Sequence, residues 1–312
     1  MLQLFRNIFD AKKNNHDPNA KPRVLYIVKN YPQLSQTYIK SEINALLNDY
    51  DLEIIATSVP NYVDPEHLPF EHIEEIKKIV KFARKFKPSA IHGHYLVNAK
   101  VLHDVSQKLG IPFTVRAHSF DAILPNNTKK VQPHIKTIAN VVNHDLCLGV
   151  LAFPFTRSYL ETEGKILSSK IIDAPPVVDF HQFYNRSENG EAIINTGACI
   201  PKKRMEDFIK LASMVPERTF NLYAIGHNTD DMVEANQAAG NVLNIVEPVT
   251  FSNMPAVYKK HGWMVYTANP ELKTVGWPMA LAEAQASGVV ACMANIRSDI
   301  QDYLGDTGHI YN

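Results

Sequence analysis

The sequence predicts an α/β protein built as two doubly wound parallel-sheet domains. Short apolar runs rich in β-branched and aromatic residues alternate with helical patterns along nearly the whole chain. The alternation breaks once, in the Pro-containing polar stretch "PPVVDFHQFYNRSENG" at 175–190. With 312 residues, 45% of them hydrophobic, the chain is long enough to build a core on each side of that break.

The first half opens on "RVLYIV" at 23–28, followed by a Pro-containing loop and the helical pattern "TYIKSEINALLNDY". The same alternation continues through "LEIIATS" and "FEHIEEIKKIVKFARKF", then "AIHGHY" and "AKVLHDVSQKLG". Next come "PFTVRAH", a loop and "VQPHIKTIANVVNHD", then "LCLGVLAF", "TRSYLETEG" and "KIIDA". Strands separated by helices of this length imply right-handed crossovers and a parallel sheet covered on both faces.

A second series runs from "EAIINTGA" through "MEDFIKLASMV", "TFNLYAIG", "TDDMVEANQAAG", "VLNIV", "NMPAVYKKHG" and "WMVYTA" to "VVACM" and "SDIQDYLG". The expected organisation is a polar leader over 1–22, an N-terminal domain over 23–185 and a C-terminal domain over 186–312. Two such domains are expected to face each other across a cleft, with ligands at the C-terminal ends of the strands.

Lys plus Arg and Asp plus Glu number 32 each, so no overall field draws the chain to nucleic acid. Cys147, Cys199 and Cys292 are odd in number and sit in apolar runs, which reads as buried thiols in a reducing cytoplasm. The apolar start before Asp10 is too short for a signal peptide or a membrane span. It reads as a leader packed on the body; the alternative is a peripheral membrane contact, with Leu2, Phe5, Ile8 and Phe9 on one face, at the inner side of a membrane.

Five loops are candidates for chemistry. In "NTGACIPKKRMED", Gly197 allows a tight turn, and Lys202, Lys203 and Arg204 stand at the mouth of the next helix, a plausible phosphate clamp or a solvated basic cap. In "TVGWPMALAEAQ", the backbone around Gly276, Trp277, Pro278 and Met279 leads into a helix that carries Glu283. That carboxylate either pairs with a backbone group or accepts from vicinal hydroxyls such as those of a ribose. In "TVRAHSFDAI", Arg116, His118 and Asp121 follow a strand; His118 either exchanges a proton with a substrate hydroxyl or bonds its own loop.

The fourth loop, "HGHY", holds His92 and His94 but has no third ligand at a recognisable spacing, so no metal is expected. In the fifth, Ser35, Gln36 and Thr37 can cap the helix that follows. No Gly-x-Gly-x-x-Gly is present, which argues against a nicotinamide or flavin cofactor.

Four stretches together resemble a known family. "YPQLSQTYIKSEINAL" is similar to F-P-x-x-S-E-T-F-I-x-x-E-I-x-x-L, and "IHGHY…GIPFTVRAHSFDAI" to H-A-H-F followed by G-I-P-x-x-x-x-A-H-x-x-D-I. "PPVVDFHQF" resembles N-G-V-D-x-x-x-F, and "GWPMALAEAQASGVVAC" resembles G-F-G-x-x-x-L-E-A-M-A-C-G-x-P-V. This is the pattern of GT-B fold glycosyltransferases, close to the retaining family 4 group that uses nucleotide-diphosphate sugars. The resemblance implies two Rossmann-like domains, a carbohydrate or glycoconjugate acceptor, and transfer with retention and without a metal or other cofactor.

On this resemblance Lys203 binds the donor diphosphate, Glu283 the donor ribose, and the backbone from Gly276 to Met279 lies beside the sugar and phosphates. His118 approaches the donor sugar, while Ser35, Thr37, His94, Arg116 and Asp121 fall on the acceptor side. Two positions depart from the pattern. The first glutamate of E-x7-E, which contacts donor-sugar hydroxyls, falls on Val275, and the arginine of G-R-L, a diphosphate ligand, falls on Ala198.

Losing one charged diphosphate ligand costs about 1.5–3 kcal/mol if nothing replaces it. Lys202 or Arg204 are the replacements on offer, and Glu271 is an out-of-register substitute for the lost carboxylate. Val275 is expected to present an apolar surface where a carboxylate would hold sugar hydroxyls, altering sugar recognition while nucleotide recognition persists. The chain ends at "DTGHIYN", where the family continues through further helices, so the C-terminal domain is expected to be shortened. A non-catalytic binding or scaffold protein of the same fold, or a nucleotide-sugar epimerase, remain alternatives.

Overall fold

A computed structural model describes residues 21–61, 63–124, 127–226, 228–272 and 274–312. The chain divides after Val177 into two compact units. The division falls within the Pro-containing stretch and ahead of the 185/186 boundary, because Phe183, in the helix Phe180–Phe183, is buried in the core of the second unit. The proposed membrane contact of the leader lies outside the described residues. Among the described residues no helix is long and apolar enough to cross a membrane.

The first unit contains, in chain order, β1 (Arg23–Val28), α1 (Thr37–Leu46), β2 (Asp51–Ala56), β3 (Glu71–His72), α2 (Ile76–Phe86), β4 (Ala90–His94) and α3 (Ala99–Leu109). It continues with β5 (Phe113–Arg116), α4 (Ser119–Ala122), β6 (Ile123–Leu124), β7 (Asn127–Val131), α5 (Pro133–Val142), β8 (Cys147–Ala152), α6 (Arg157–Thr162) and β9 (Ile171–Asp173). The main sheet runs β3-β2-β1-β4-β5-β8-β9, and every pair in it is parallel. One apolar layer, including Ile27, Ile91 and Val115, packs under α2, α3 and α5; another, including Tyr26 and Val28, packs under α1. Burying each such side chain contributes about 1.5–3 kcal/mol.

Two details differ from the sequence reading. The helix expected over 70–86 begins only at Ile76, and Glu71–His72 adds a short exposed edge strand instead. The loop expected after β5 contains the antiparallel β6–β7 pair, whose Ile123 and Val131 close onto the core.

The second unit contains α7 (Phe180–Phe183), β10 (Ala192–Ala198), α8 (Met205–Met214), β11 (Phe220–Ile225), α9 (Thr229–Ala238), β12 (Asn244–Val246) and α10 (Met254–Tyr258). It ends with β13 (His261–Tyr266), α11 (Met279–Ala286), β14 (Val290–Ala294), α12 (Ile300–Leu304) and β15 (His309–Tyr311). Its sheet is also all parallel, in the order β12-β11-β10-β13-β14-β15.

This topology selects where a ligand goes. In the first sheet the chain winds outward from β1 in both directions, to β2 and to β4; in the second, β10 is the corresponding strand, between β11 and β13. At such a switch point the loops after neighbouring strands leave in opposite directions and open a crevice at the carboxyl ends. The loops after β1 and β4, and those after β10 and β13, are therefore where each unit is built to bind. Gly93 helps shape the first: a Cβ there would lie 2.7 Å from the Ile27 carbonyl oxygen and 2.8 Å from the Leu102 side chain, so only glycine lets α3 close on β4.

Candidate functional site

In the second unit, the loop after β10 folds back on itself. Gly197 has φ +128°, and a Cβ at that position would lie 2.0 Å from Lys203 Nζ. The glycine is what makes room for the ammonium. Lys203 ends the 3-10 turn Pro201–Lys203, and Arg204, at φ +44°, redirects the chain into α8. The Lys203 ammonium sits 5.3 Å from the centre of the Tyr266 ring. Burial, and then the neighbouring Lys202, pull its pKa down to about 8. Among the described residues no carboxylate pairs with Lys203.

A buried cation without an anion is costly to keep and is retained where an anion is to be received. Lys202 is held against the next loop through its backbone, its carbonyl accepting from Asn269 N at 2.9 Å. Of the two residues expected to replace the lost arginine, Arg204 is occupied: its Nε lies 2.7 Å from Asp207.

The loop after β13 leads to Glu283 in α11. Its Oε2 accepts from the Tyr258 hydroxyl at 3.1 Å, and burial pushes its pKa up to about 7. Its Oε1 is buried and has no hydrogen-bond partner. An acceptor oxygen in that condition lacks a donor that a bound hydroxyl would supply.

Val275 does not present the apolar surface expected of it. It is 2% exposed and packs in the core of the unit, and its carbonyl accepts from Arg297. Glu271 stands exposed at the preceding turn. Sequence reasoning also missed the brace that holds Gly276 to Met279 in place. The Trp277 indole N–H donates to Asp299 at 2.7 Å, Arg297 pairs with Asp299 at 2.8 Å, and the Tyr303 ring stacks on Trp277 at 5.0 Å while its hydroxyl donates to the Pro278 carbonyl.

In the first unit, His94, Arg116, His118 and Asp121 come together, joined by residues not singled out from sequence. Glu42, on α1, is 2% exposed, and its Oε2 accepts from Arg116 Nε at 2.5 Å. Its Oε1 lies 3.0 Å from His92 Nε2 and 3.2 Å from His94 Nε2, off the best hydrogen-bond line. Burial opposes ionisation, but Arg116 and the two imidazoles outweigh it and hold the Glu42 carboxyl well below its usual range.

The expectation that the histidines lack a third ligand-type partner is corrected here, since α1 supplies Glu42, with the three groups' ligand atoms within 4.8 Å. The charge facing this carboxylate is already supplied by Arg116. Arg116 Nη1 also donates to the Ala174 carbonyl at 2.9 Å.

The hydrogen bonds fix the imidazole tautomers. The His118 side chain accepts from the Asp121 backbone N–H, so Nδ1 carries no proton and Nε2 does. That Nε2–H faces His94 Nδ1 at 3.2 Å, which makes His94 Nδ1 the acceptor and directs the His94 Nε2 proton to Glu42. Burial keeps both rings neutral, pulling His94 down to about 4 and His118 well below its usual value. Both His118 nitrogens are thus engaged inside the protein.

Asp121 pins two loops at once, accepting from His118 N at 2.7 Å and Leu96 N at 2.5 Å; burial still pushes it up to about 7. Ser35 is exposed and Thr37 half-buried. Capping is corrected as well: Gln36 occupies the N-cap of α1 without a side-chain cap, because its amide is used elsewhere, accepting from Gln33 N at 3.1 Å and donating to the Tyr95 hydroxyl at 2.9 Å.

Two all-parallel sheets, each with its polar residues gathered at the switch-point loops, define the GT-B class of fold. No protein-family model and no curated protein matches the sequence. Solved structures do. Anabaena HepE in complex with UDP-glucose superposes with a TM-score of 0.69 at 11% identity, over 93% of this chain and 85% of that one. A sucrose-phosphate synthase from Thermosynechococcus elongatus gives 0.68 at 15%, over 93% and 86%. A glycosyltransferase from Rickettsia africae gives 0.66 at 14%, over 93% and 84%. At identities this low the likeness shows the fold.

Proposed function

We propose that this chain is a glycosyltransferase that moves a sugar from a nucleotide-diphosphate donor to an acceptor hydroxyl, with retention and without a metal or other cofactor. The observation that carries the proposal is Lys203: a half-buried side chain whose desolvated ammonium, with no carboxylate partner among the described residues, is seated over Gly197 beside Lys202. A departing diphosphate is the ligand such a pair of lysines suits. Preorganised positive charge in a site of low polarity stabilises the leaving group as its negative charge develops. Glu283, with one oxygen lacking a donor, suits a ribose diol. The acceptor, a carbohydrate or glycoconjugate, belongs to the first unit, and a cytoplasmic location is consistent with three free thiols.

The neighbours support this reading, since HepE is solved with UDP-glucose, and with UDP and glucose together. His118 has a narrower role here than the resemblance implied: with both nitrogens engaged it contributes a ring face and a fixed loop, and donates to a sugar only by exchanging its bond to His94.

The test is incubation with UDP-, GDP- and ADP-sugars, reading nucleoside diphosphate release by mass spectrometry with and without simple glycoside acceptors. Acceptor-dependent release supports transfer. Tight nucleotide binding without release from any donor establishes instead the second reading, a binding protein of the same fold, which Ala198 and the buried Val275 favour.

A further inference from the structure

Tyr95 follows β4 at the switch point of the first sheet with φ +71° and ψ 126°. A bulky side chain at positive φ is a backbone outlier, and outliers persist only where the surroundings over-determine them. Here they do so from both sides. Tyr95 N donates to the Arg116 carbonyl at 2.9 Å, and the next amide, Leu96 N, donates to Asp121 at 2.5 Å. The hydroxyl is fixed too, 2.6 Å from the Tyr38 hydroxyl and 2.9 Å from Gln36 Nε2.

What the constraint achieves is an aromatic surface at the strand ends. The Tyr95 ring lies 4.7 Å from His118 and 5.6 Å from Phe120, and the Tyr38 ring lies 4.8 Å from His118. Phe120 is 47% exposed, although the next residue, Asp121, is buried. His118, with both nitrogens engaged, acts within this group as a flat backing for the tyrosines. Aromatic faces edged by two tyrosine hydroxyls match a pyranose, which has one face of C–H bonds and a rim of hydroxyls.

We propose that Tyr95 and Phe120 form a stacking platform for a pyranose ring, with the Tyr38 hydroxyl recognising a sugar hydroxyl and the buried Gln36 holding Tyr95 in place, so that the acceptor is a saccharide. The word acceptor rests on the transferase reading; the saccharide site does not.

The experiment is saturation-transfer NMR on the full chain with methyl β-D-glucopyranoside, methyl β-D-galactopyranoside and methyl α-D-mannopyranoside. Sorbitol is the control, having the hydroxyls without the ring. At least one pyranoside is expected to show transfer to its ring C–H protons, reduced at least fivefold in Tyr95→Ala and in Phe120→Ala, with none to sorbitol. Phe120 is exposed, so its variant tests the platform even if Tyr95→Ala fails to fold. The proposal is overturned if no pyranoside shows transfer, if sorbitol matches the pyranosides, or if transfer survives in Phe120→Ala. Thermal stabilisation by UDP, GDP and ADP is measured on the same samples. The absence of all three shifts alongside platform-dependent pyranoside binding removes the transferase reading and leaves the saccharide site standing.

Discussion

Replacing Lys203 with methionine should make the unliganded protein more stable and unable to bind nucleotide. The ammonium is buried with its pKa pulled from 10.5 to about 8, which corresponds to a penalty of about 3 kcal/mol relative to a solvated lysine. Methionine keeps most of the length and removes the charge. The loss of the ammonium's contact with the Tyr266 ring takes back about 0.5–1 kcal/mol. The net gain should be about 2–2.5 kcal/mol at pH 7, a rise in Tm of about 7–9 °C for a unit of this size.

The sign of the pH dependence follows from the depressed folded-state pKa. Between about pH 8 and 10.5 the unfolded chain holds the Lys203 proton and the folded chain does not, so native stability climbs across that window and the climb vanishes in the variant. Calorimetry gives both quantities, and titration with UDP should show affinity weakened at least about thirtyfold, the scale of losing a buried charge contact. A variant less stable than the parent, or one that still binds UDP, refutes the reasoning, since Lys203 would then have a native partner or no ligand.

Glu283 titrates with the opposite sign. Its folded-state pKa is raised from 4.5 to about 7, so stability should fall by up to about 3 kcal/mol as pH rises across that interval. Glu283→Gln should flatten most of that fall in thermal melts, leaving the part due to Asp121, which is shifted in the same direction. Glu42→Gln leaves Arg116 buried without its counter-charge and should destabilise the first unit by about 3–5 kcal/mol in urea unfolding; a change under 1 kcal/mol would mean the cluster is not coupled. Placing a carboxylate at this position by Val275→Glu should cost several kcal/mol and gain no sugar affinity, because the side chain enters the core; a soluble, tighter-binding variant would contradict the packing.

The alternation of strands and helices was legible because the central strands are buried on both faces and read as one apolar run, as in "RVLYIV". The close approach of Lys203 to Gly197 was legible as a turn too, since glycine followed by lysines at a helix mouth is a local pattern. The first unit's cluster was less so, because Glu42, His92 and Arg116 come from α1 and the neighbouring parallel strands β4 and β5, which are far apart in sequence. One signal was available: Glu42 lies on the helix face that carries Ile39, Ile43 and Leu46, where a carboxylate needs buried partners. Val275 was misread for the opposite reason. A motif alignment says which residue stands at a position but not whether its side chain points to the ligand or the core.

The brace on the loop before α11 also equips the protein with its own optical reporter. The chain has two tryptophans: Trp277, stacked on Tyr303 and bonded to Asp299, and Trp263, 42% exposed on β13. Their emission should separate into a blue and a red component, and only the blue one belongs to the loop expected to meet the donor. A Trp263→Phe background would leave a single indole there, so that occupancy, exchange and off-rate can be followed by fluorescence without labelling the protein or knowing its acceptor.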